Sequence, residues 1–348
     1  MINKLTLIAL LILIPCVGLF ARSEDQPRLY LSNYTFPASG GNIGMIKVRG
    51  RDANIKSVSI KGNNVGLQRK GKNFWLTERR RSENSAALWV DVVVKATTDA
   101  GVLTDTFRIV KDEFVHNSVI AHRGAWKNTG AAENSIASLQ HAVQLGCAGS
   151  EFDVHMSADS LLFIHHDPKI DNTTIEKTPS GELSQIKLAN GEPLPQLCSY
   201  LEEGMKQNKT RLILEIKASV ISKERSISLT RKVLEEVRKY HAEGWVDYIS
   251  FDYDVCKEVL HLAPYAKVSY LNGDRSPEEL AKEHFYGLDY HYSVLQKHPE
   301  WIQMAKKNKV SVNVWTVNDE SLMDWLLGEK VDFITTNEPE LLFRKLGR

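Results

Sequence analysis

From about residue 115 to the C-terminus, short β-rich runs alternate with helical segments, and this alternation limits the possible folds more than any other feature. Strands are expected at 118–122, 149–154, 161–165, 211–217, 248–252, 267–271, 311–316 and 332–336. Between many of them, apolar spacing predicts helices at 135–145, 198–206, 224–241, 255–262, 277–283, 299–307 and 320–327. Several of these follow a good capping residue such as Asn134 or Ser276. Repeated βα units build a parallel sheet. It can close as a barrel or stay open, and periodicity does not choose between the two. With 43% hydrophobic and 25% charged residues, the 348-residue chain has ample material for a core. A net charge of +1 favours no class of partner.

The segment before this region reads differently. Alternating apolar runs at 28–32, 44–50, 55–61, 73–77, 87–95 and 102–111 are broken by turns such as Ser39-Gly40-Gly41 and Gly62-Asn63-Asn64. Many short strands at regular spacing predict a small all-β, Ig-like sandwich over residues 27–112. Between Arg28 and Glu83 the segment is rich in Lys and Arg, including Arg79-Arg80-Arg81, and only Asp52, Glu78 and Glu83 oppose them. A solvated strand face accounts for most such runs; attraction to an anionic envelope surface is the functional alternative. Residues 1–21 carry Lys4, an apolar stretch from Leu5 to Phe20 and Ala21, which reads as an export signal and places the protein in the periplasm or outside the cell. Leu13-Ile14-Pro15-Cys16 resembles a lipobox, although proline before the cysteine departs from that pattern; lipid anchoring at Cys16 is the lesser alternative. The remaining cysteines, Cys147, Cys198 and Cys256, are odd in number and widely spaced, and are expected to be buried free thiols.

Reactive side chains gather at the ends of the expected strands. His122-Arg123-Gly124 follows Val119-Ile120-Ala121, and His165-His166-Asp167 ends another run. Glu151 and Asp153 lie two apart, so a strand puts both on one face, and Glu215 and Lys217 repeat the spacing. In a parallel barrel all these strand ends converge on one rim. Three carboxylates brought together repel one another unless a cation lies between them, and a hard divalent ion with oxygen ligands suits that place. His122 and His166 could then serve as general acid and base at phosphorus, with Arg123 and Lys217 on the anionic oxygens. Taken singly, each motif more often marks a hydrogen-bonded histidine, a solvated face or a surface ion pair. Their shared placement makes the case.

In order and spacing, His122-Arg123-Gly124, Glu133-Asn134, Glu151-Phe152-Asp153-Val154 and His166-Asp167-Pro168 resemble the glycerophosphodiester phosphodiesterase family. Leu214-Glu215-Ile216-Lys217, Val314-Trp315-Thr316-Val317-Asn318 and Thr335-Thr336-Asn337-Glu338-Pro339 are similar to its later motifs. Two positions depart from the pattern: Ala132 stands where the family has proline, and His165 doubles the histidine. The resemblance implies a (β/α)8 TIM barrel over residues 117–348 holding one divalent cation, Ca2+ or Mg2+. It implies Glu151, Asp153 and Glu215 as metal ligands, His122 and His166 as the acid–base pair, and Arg123, Lys217 and Trp315 as substrate contacts. Glu133 is implied as a support for His122 or Arg123, and the stretch 168–195 as an insertion capping the glycerol pocket. The expected reaction is metal-dependent hydrolysis of a small glycerophosphodiester to sn-glycerol 3-phosphate and an alcohol, with no nucleic-acid partner. A phospholipase D-like enzyme acting on intact lipid and a non-catalytic envelope-binding protein are the rivals. The sandwich is expected to be an accessory.

Overall fold

The computed structural model describes residues 27–37, 40–50, 53–79 and 87–348. The expected export segment, Cys16 and Arg80-Arg81 lie outside them. Eight parallel strands run through Val119–Ala121, Gly149–Met156, Arg211–Ile216, Val246–Ser250, Val268–Tyr270, Gly287–His291, Ser311–Trp315 and Phe333–Thr336. The eighth pairs with the first, Thr335 opposite Ile120, and the first with the second, Gly149 opposite Ile120. The sheet is therefore a closed barrel. Helices wrap its outside, so both faces are covered, and all eight residues of the second strand are buried.

Local chemistry sets the ends of these elements. The helix Ile136–Leu145 starts where the Ser135 hydroxyl accepts the Ser138 N–H and stops at Gly146, whose φ of 76° is left-handed. Pro277–Lys282 opens with a capping box between Ser276 and Glu279. Among the described residues no helix is long and apolar enough to cross a membrane. Cys147 and Cys256 are buried free thiols, while Cys198 is half-buried and also free.

The barrel's strand assignment differs from the expected one at two places. The run at 161–165 is not a barrel strand: Leu162–Ile164 folds back antiparallel on the second strand. The sixth strand, Gly287–His291, escaped a reading based on apolar runs because its sequence, GLDYH, sends a polar side chain into the barrel. The helices Tyr292–Lys297 and Pro339–Lys345 were likewise not expected.

The stretch 168–195 is anchored to its surroundings at several points. Its Ile175, Leu183 and Leu194 form an apolar cluster with Phe163 of the preceding strand. The buried Glu176 accepts from Ser219 Oγ at 3.0 Å and from Val220 N at 2.8 Å. Glu192 accepts from Ile136 N at 3.1 Å, at the start of the first helix. These anchors hold it to the loop after the third strand and to that helix, and none of its residues lines the cavity described below.

The N-terminal part is two four-stranded sheets. One orders Arg28–Leu31, Asn42–Arg49, Asn73–Glu78 and Val65–Lys70; the other orders Thr35–Phe36, Gly101–Lys111, Trp89–Thr98 and Ile55–Lys61. They share one core containing Leu31, Phe74, Leu76, Val94, Phe107 and Ile109, so the segment is a sandwich. Thr35–Phe36 runs parallel to its neighbour, an exception to the antiparallel pattern. The sandwich packs on the barrel's N-terminal face, away from the reactive rim. Trp89 meets Trp245 edge-on at 5.7 Å between ring centroids, and Tyr34 lies 4.7 Å from Tyr265. Arg238 pairs with Asp105 across the junction. Gly244 is needed there, since a Cβ would fall 2.4 Å from Val110 Cγ2. Removing the Tyr34 ring (Tyr34→Ala) is expected to cost about 3 kcal/mol of stability, with kcat unchanged within roughly two-fold because the site is at the other end. Thermal melts and steady-state rates check both halves.

Candidate active site

The side chains expected at the rim do meet there. Glu151, Asp153 and His155 share one face of the second strand, and Asp153 lies in register with Glu215 on the third. Oxygens of Glu151, Asp153 and Glu215 all fall within 4.8 Å of one another, and all three residues are buried. The chain fixes each of them. Arg123 N donates to Glu151 Oε2 at 2.8 Å. Asn134 Nδ2 donates to Asp153 Oδ2 at 2.9 Å and its Oδ1 accepts from Asp153 N at 3.2 Å. Lys217 Nζ bridges Asp153 Oδ1 at 3.2 Å and Glu215 Oε1 at 2.8 Å.

A tight turn after the first strand aims the Arg123 N–H. Arg123 has φ 59° and Gly124 φ 78°, and a Cβ on Gly124 would meet Ser138 Oγ at 2.3 Å. The Arg123 guanidinium is gripped by both oxygens of Glu133, at 3.0 and 2.9 Å from Nη1, so Glu133 supports Arg123 rather than His122.

The two histidines are held by different partners. His122 Nδ1 lies 2.8 Å from Asn337 Oδ1, and an amide oxygen only accepts, so Nδ1 carries the proton. That leaves Nε2 as a free base, 3.9 Å from Glu151 Oε2. The proton affinity of His166 is lowered by burial above all, while its Nδ1, 2.8 Å from the carboxylate oxygen Asp167 Oδ1, gains some support for the protonated ring. A cavity of about 90 Å³ joins them; besides His122 and His166 it is lined by Arg123, Glu151, Glu215 and Trp315, with Ile249, Phe251, Leu271 and Asp289 among its other walls. Asp153, Lys217 and Glu133 do not line it, but Asp153 and Glu133 contact Arg123 and Lys217 contacts Glu215.

Residues 122–341 match the glycerophosphoryl diester phosphodiesterase family. This chain belongs to that family. Among its relatives, the glycerophosphodiester phosphodiesterase of Caldanaerobacter subterraneus subsp. tengcongensis is 31% identical over 242 residues, spanning 64% of this chain and 95% of the relative. The crystal structure of a glycerophosphodiester phosphodiesterase from Parabacteroides distasonis is 44% identical and superposes with a TM-score of 0.65, covering 67% of this chain and 98% of that one. An Oleispira antarctica phosphodiesterase, solved in complex with the product sn-glycerol-3-phosphate, is 26% identical with a TM-score of 0.55 over 67% of this chain and 97% of its own. The chain is thus an enzyme, a glycerophosphodiester phosphodiesterase. These relatives give no support to the phospholipase D-like and non-catalytic readings.

The electrostatics of the three acids suits a cation among them. Burial, then repulsion from Asp153, lifts Glu215 to about 8. Burial, Asp153 and Glu215 push Glu151 well above the ordinary carboxylate range. For Asp153, burial works against the charge, but Lys217, His166, Asn134 and Arg123 outweigh it and hold the group at about 2. Lys217, despite its burial, is raised by Asp153 and Glu215 because it serves as their counter-charge. Lys217 and the nearby Arg123 do not neutralise three carboxylates, and a divalent ion, bound through oxygens, fits the donor set. The sign of the pH effect follows. Between the unfolded value near 4.5 and the folded value of about 8, the folded metal-free protein holds a proton on Glu215 that the unfolded chain has released. Its stability therefore falls as pH rises through that window. A cation needs the group deprotonated, so the rise in thermal midpoint on adding Mg2+ or Ca2+ is expected to widen between about pH 5 and about pH 8. A rise that stays constant or shrinks contradicts this.

Three residues support the site in roles that were not expected of them. Asn337 and Asn134 stand inside motif stretches, but their targets are visible only in three dimensions. His155 Nε2 lies 3.2 Å from the His166 carbonyl oxygen and fixes the loop that presents His166; burial holds its imidazole at about 4, neutral. Its position two beyond Asp153 on the same strand was the available clue.

Proposed function

We propose that this enzyme hydrolyses small glycerophosphodiesters to sn-glycerol 3-phosphate and an alcohol with one divalent cation at Glu151, Asp153 and Glu215. The convergence of those three buried carboxylates between two histidines carries the reading. When bound, the cation would offset charge building up on the phosphate and orient the diester. Arg123, preset by Glu133, offers its guanidinium to a phosphate oxygen. Lys217 is near enough to the carboxylates to supply the second positive charge.

His122 acts as general base. Burial, then the Arg123 guanidinium, lowers it to about 4, so it is neutral near pH 7, with Nε2 free to take a proton. The nucleophile is the substrate's own neighbouring hydroxyl, giving a cyclic phosphate that water then opens. His166 acts as general acid. Burial lowers its proton affinity, but Asp167 and the incoming phosphate anion favour the protonated ring, which delivers its proton to the leaving alkoxide. Trp315, with its indole N–H on the Asp289 carbonyl at 2.8 Å, forms a rigid wall of the pocket.

The test is direct. Purified protein with Mg2+ or Ca2+ should release sn-glycerol 3-phosphate from glycerophosphocholine or glycerophosphoethanolamine. No release from any headgroup variant, with metal bound, would overturn the reading.

The charged and apolar pattern at 1–21 supports export to the periplasm or beyond. Retention of the full-length protein in the cytoplasm on fractionation would contradict it. The sandwich's place on the barrel's far end supports an accessory, stabilising role, and its basic strands support contact with an anionic envelope surface. Binding to anionic vesicles that is no stronger than to neutral ones would remove the latter.

A further inference from the structure

One carboxyl group in the cavity has no part in the chemistry above. Asp289, on the sixth strand, is 2% exposed, and its Oδ1 has no hydrogen-bond partner. Among the described residues no lysine or arginine pairs with it, and Asn313 on the neighbouring strand is its one polar support. It nevertheless lines the same cavity as Glu151, Glu215 and His122. Such a group is costly to bury unless something charged or donating meets it.

Its place in the barrel says what that is. In the closed ring of eight strands, the sixth is opposite the second, which carries Glu151 and Asp153. Asp289 therefore stands on the wall opposite the metal triad, and it also lines a second cavity inside the barrel with Ile213, Ser269 and Asn313. The wall around it is aromatic and apolar: Phe251 and Trp315 meet edge-on at 5.3 Å, flanked by Ile249 and Leu271. A phosphodiester anchored at the triad has two arms. The glycerol arm bears the hydroxyl that attacks phosphorus and has to remain beside His122. The other arm, the leaving alcohol, is then directed to the far wall. A buried carboxylate under aromatic rings with no counter-ion of its own is suited to a cation.

Resting on the proposed hydrolysis, we infer that Asp289 selects substrates whose headgroup is a cationic amino alcohol of the ethanolamine or choline kind. Its Oδ1 receives the ammonium while Phe251 and Trp315 surround the alkyl part. Burial lifts this carboxyl to about 7 in the empty pocket, and an arriving cation favours its ionised form.

The experiment compares kcat/KM of wild type and Asp289→Asn on glycerophosphoethanolamine, glycerophosphocholine, glycerophosphoglycerol and glycerophosphoinositol. Asp289→Asn is expected to lose about 10- to 100-fold on the two cationic substrates and less than roughly three-fold on the two neutral polyols, a discrimination that a merely structural role would not produce. A loss confined to ethanolamine shows recognition of N–H donors; one shared with choline shows recognition of charge; either supports the assignment. An equal loss on all four substrates, or none on any, overturns it. Turnover of none of the four by wild type sinks the hydrolase reading and this inference with it, whereas turnover without selective loss sinks this inference alone. If the variant does not fold, wild type is compared on glycerophosphocholine and its uncharged isostere, the 3,3-dimethylbutanol diester. A preference of about ten-fold or more for choline is expected, and parity contradicts the proposal.

Discussion

Asp153→Asn is expected to abolish measurable divalent-cation binding and to lower kcat/KM by about 10³-fold or more, since the ion's contribution amounts to several kcal/mol of barrier. Asp153 is the member of the triad best placed to show this. It is fully ionised at neutral pH, held at about 2, whereas Glu151 and Glu215 have to lose a proton before they bind a cation. It is also the shared partner of Lys217 and Asn134. The asparagine keeps the shape and removes the charge. The variant should remain folded, because Lys217 retains Glu215 at 2.8 Å. Isothermal titration with Mg2+ and Ca2+, next to steady-state rates, measures both effects. A variant that binds the ion as well as wild type would show that the carboxylates do not form the site.

His122→Ala and His166→Ala are each expected to reduce kcat by about 10²- to 10⁴-fold with little change in KM. The double variant should fall only slightly below the worse single one, because groups that act in one transition state do not add. The two singles should differ with substrate. A diester whose leaving alcohol is acidic, such as a p-nitrophenyl ester, does not need its leaving group protonated. His166→Ala should therefore recover most of its loss on that substrate, while His122→Ala should not. The reverse pattern would exchange the two roles and would mean that Asn337 and Asp167 do not set the protonation of their histidines.

Much of this site was legible in the sequence because a parallel barrel concentrates chemistry at strand ends. Glu-x-Asp and Glu-x-Lys at period two fix which side chains share a face, and the order of strands brings the faces together. Closure of the sheet was not legible, since only the pairing of the eighth strand with the first decides it. The sixth strand was missed for a physical reason that bears on function. Asp289 breaks its apolar run, and a reading that looks for buried strands as apolar runs passes over a strand that carries a polar group inward. The hairpin Leu162–Ile164 misled in the opposite sense, being fully apolar and buried yet antiparallel. Asn134 and Asn337 were visible as letters of motifs, but what an amide holds, Asp153 in one case and His122 in the other, depends on contacts 19 and 215 residues apart. The anchors of the stretch 168–195 show the same limit, since the partners of Glu176 and Glu192 are set only by the fold.

The central claim is that three strand-borne carboxylates hold one catalytic cation, and a metal titration of activity tests it most directly. Protein stripped with chelator should be inactive on glycerophosphocholine, and turnover should return in proportion to added Mg2+ or Ca2+ until one equivalent per chain is bound. Full turnover in the stripped protein, with no metal detectable by elemental analysis, would contradict the account.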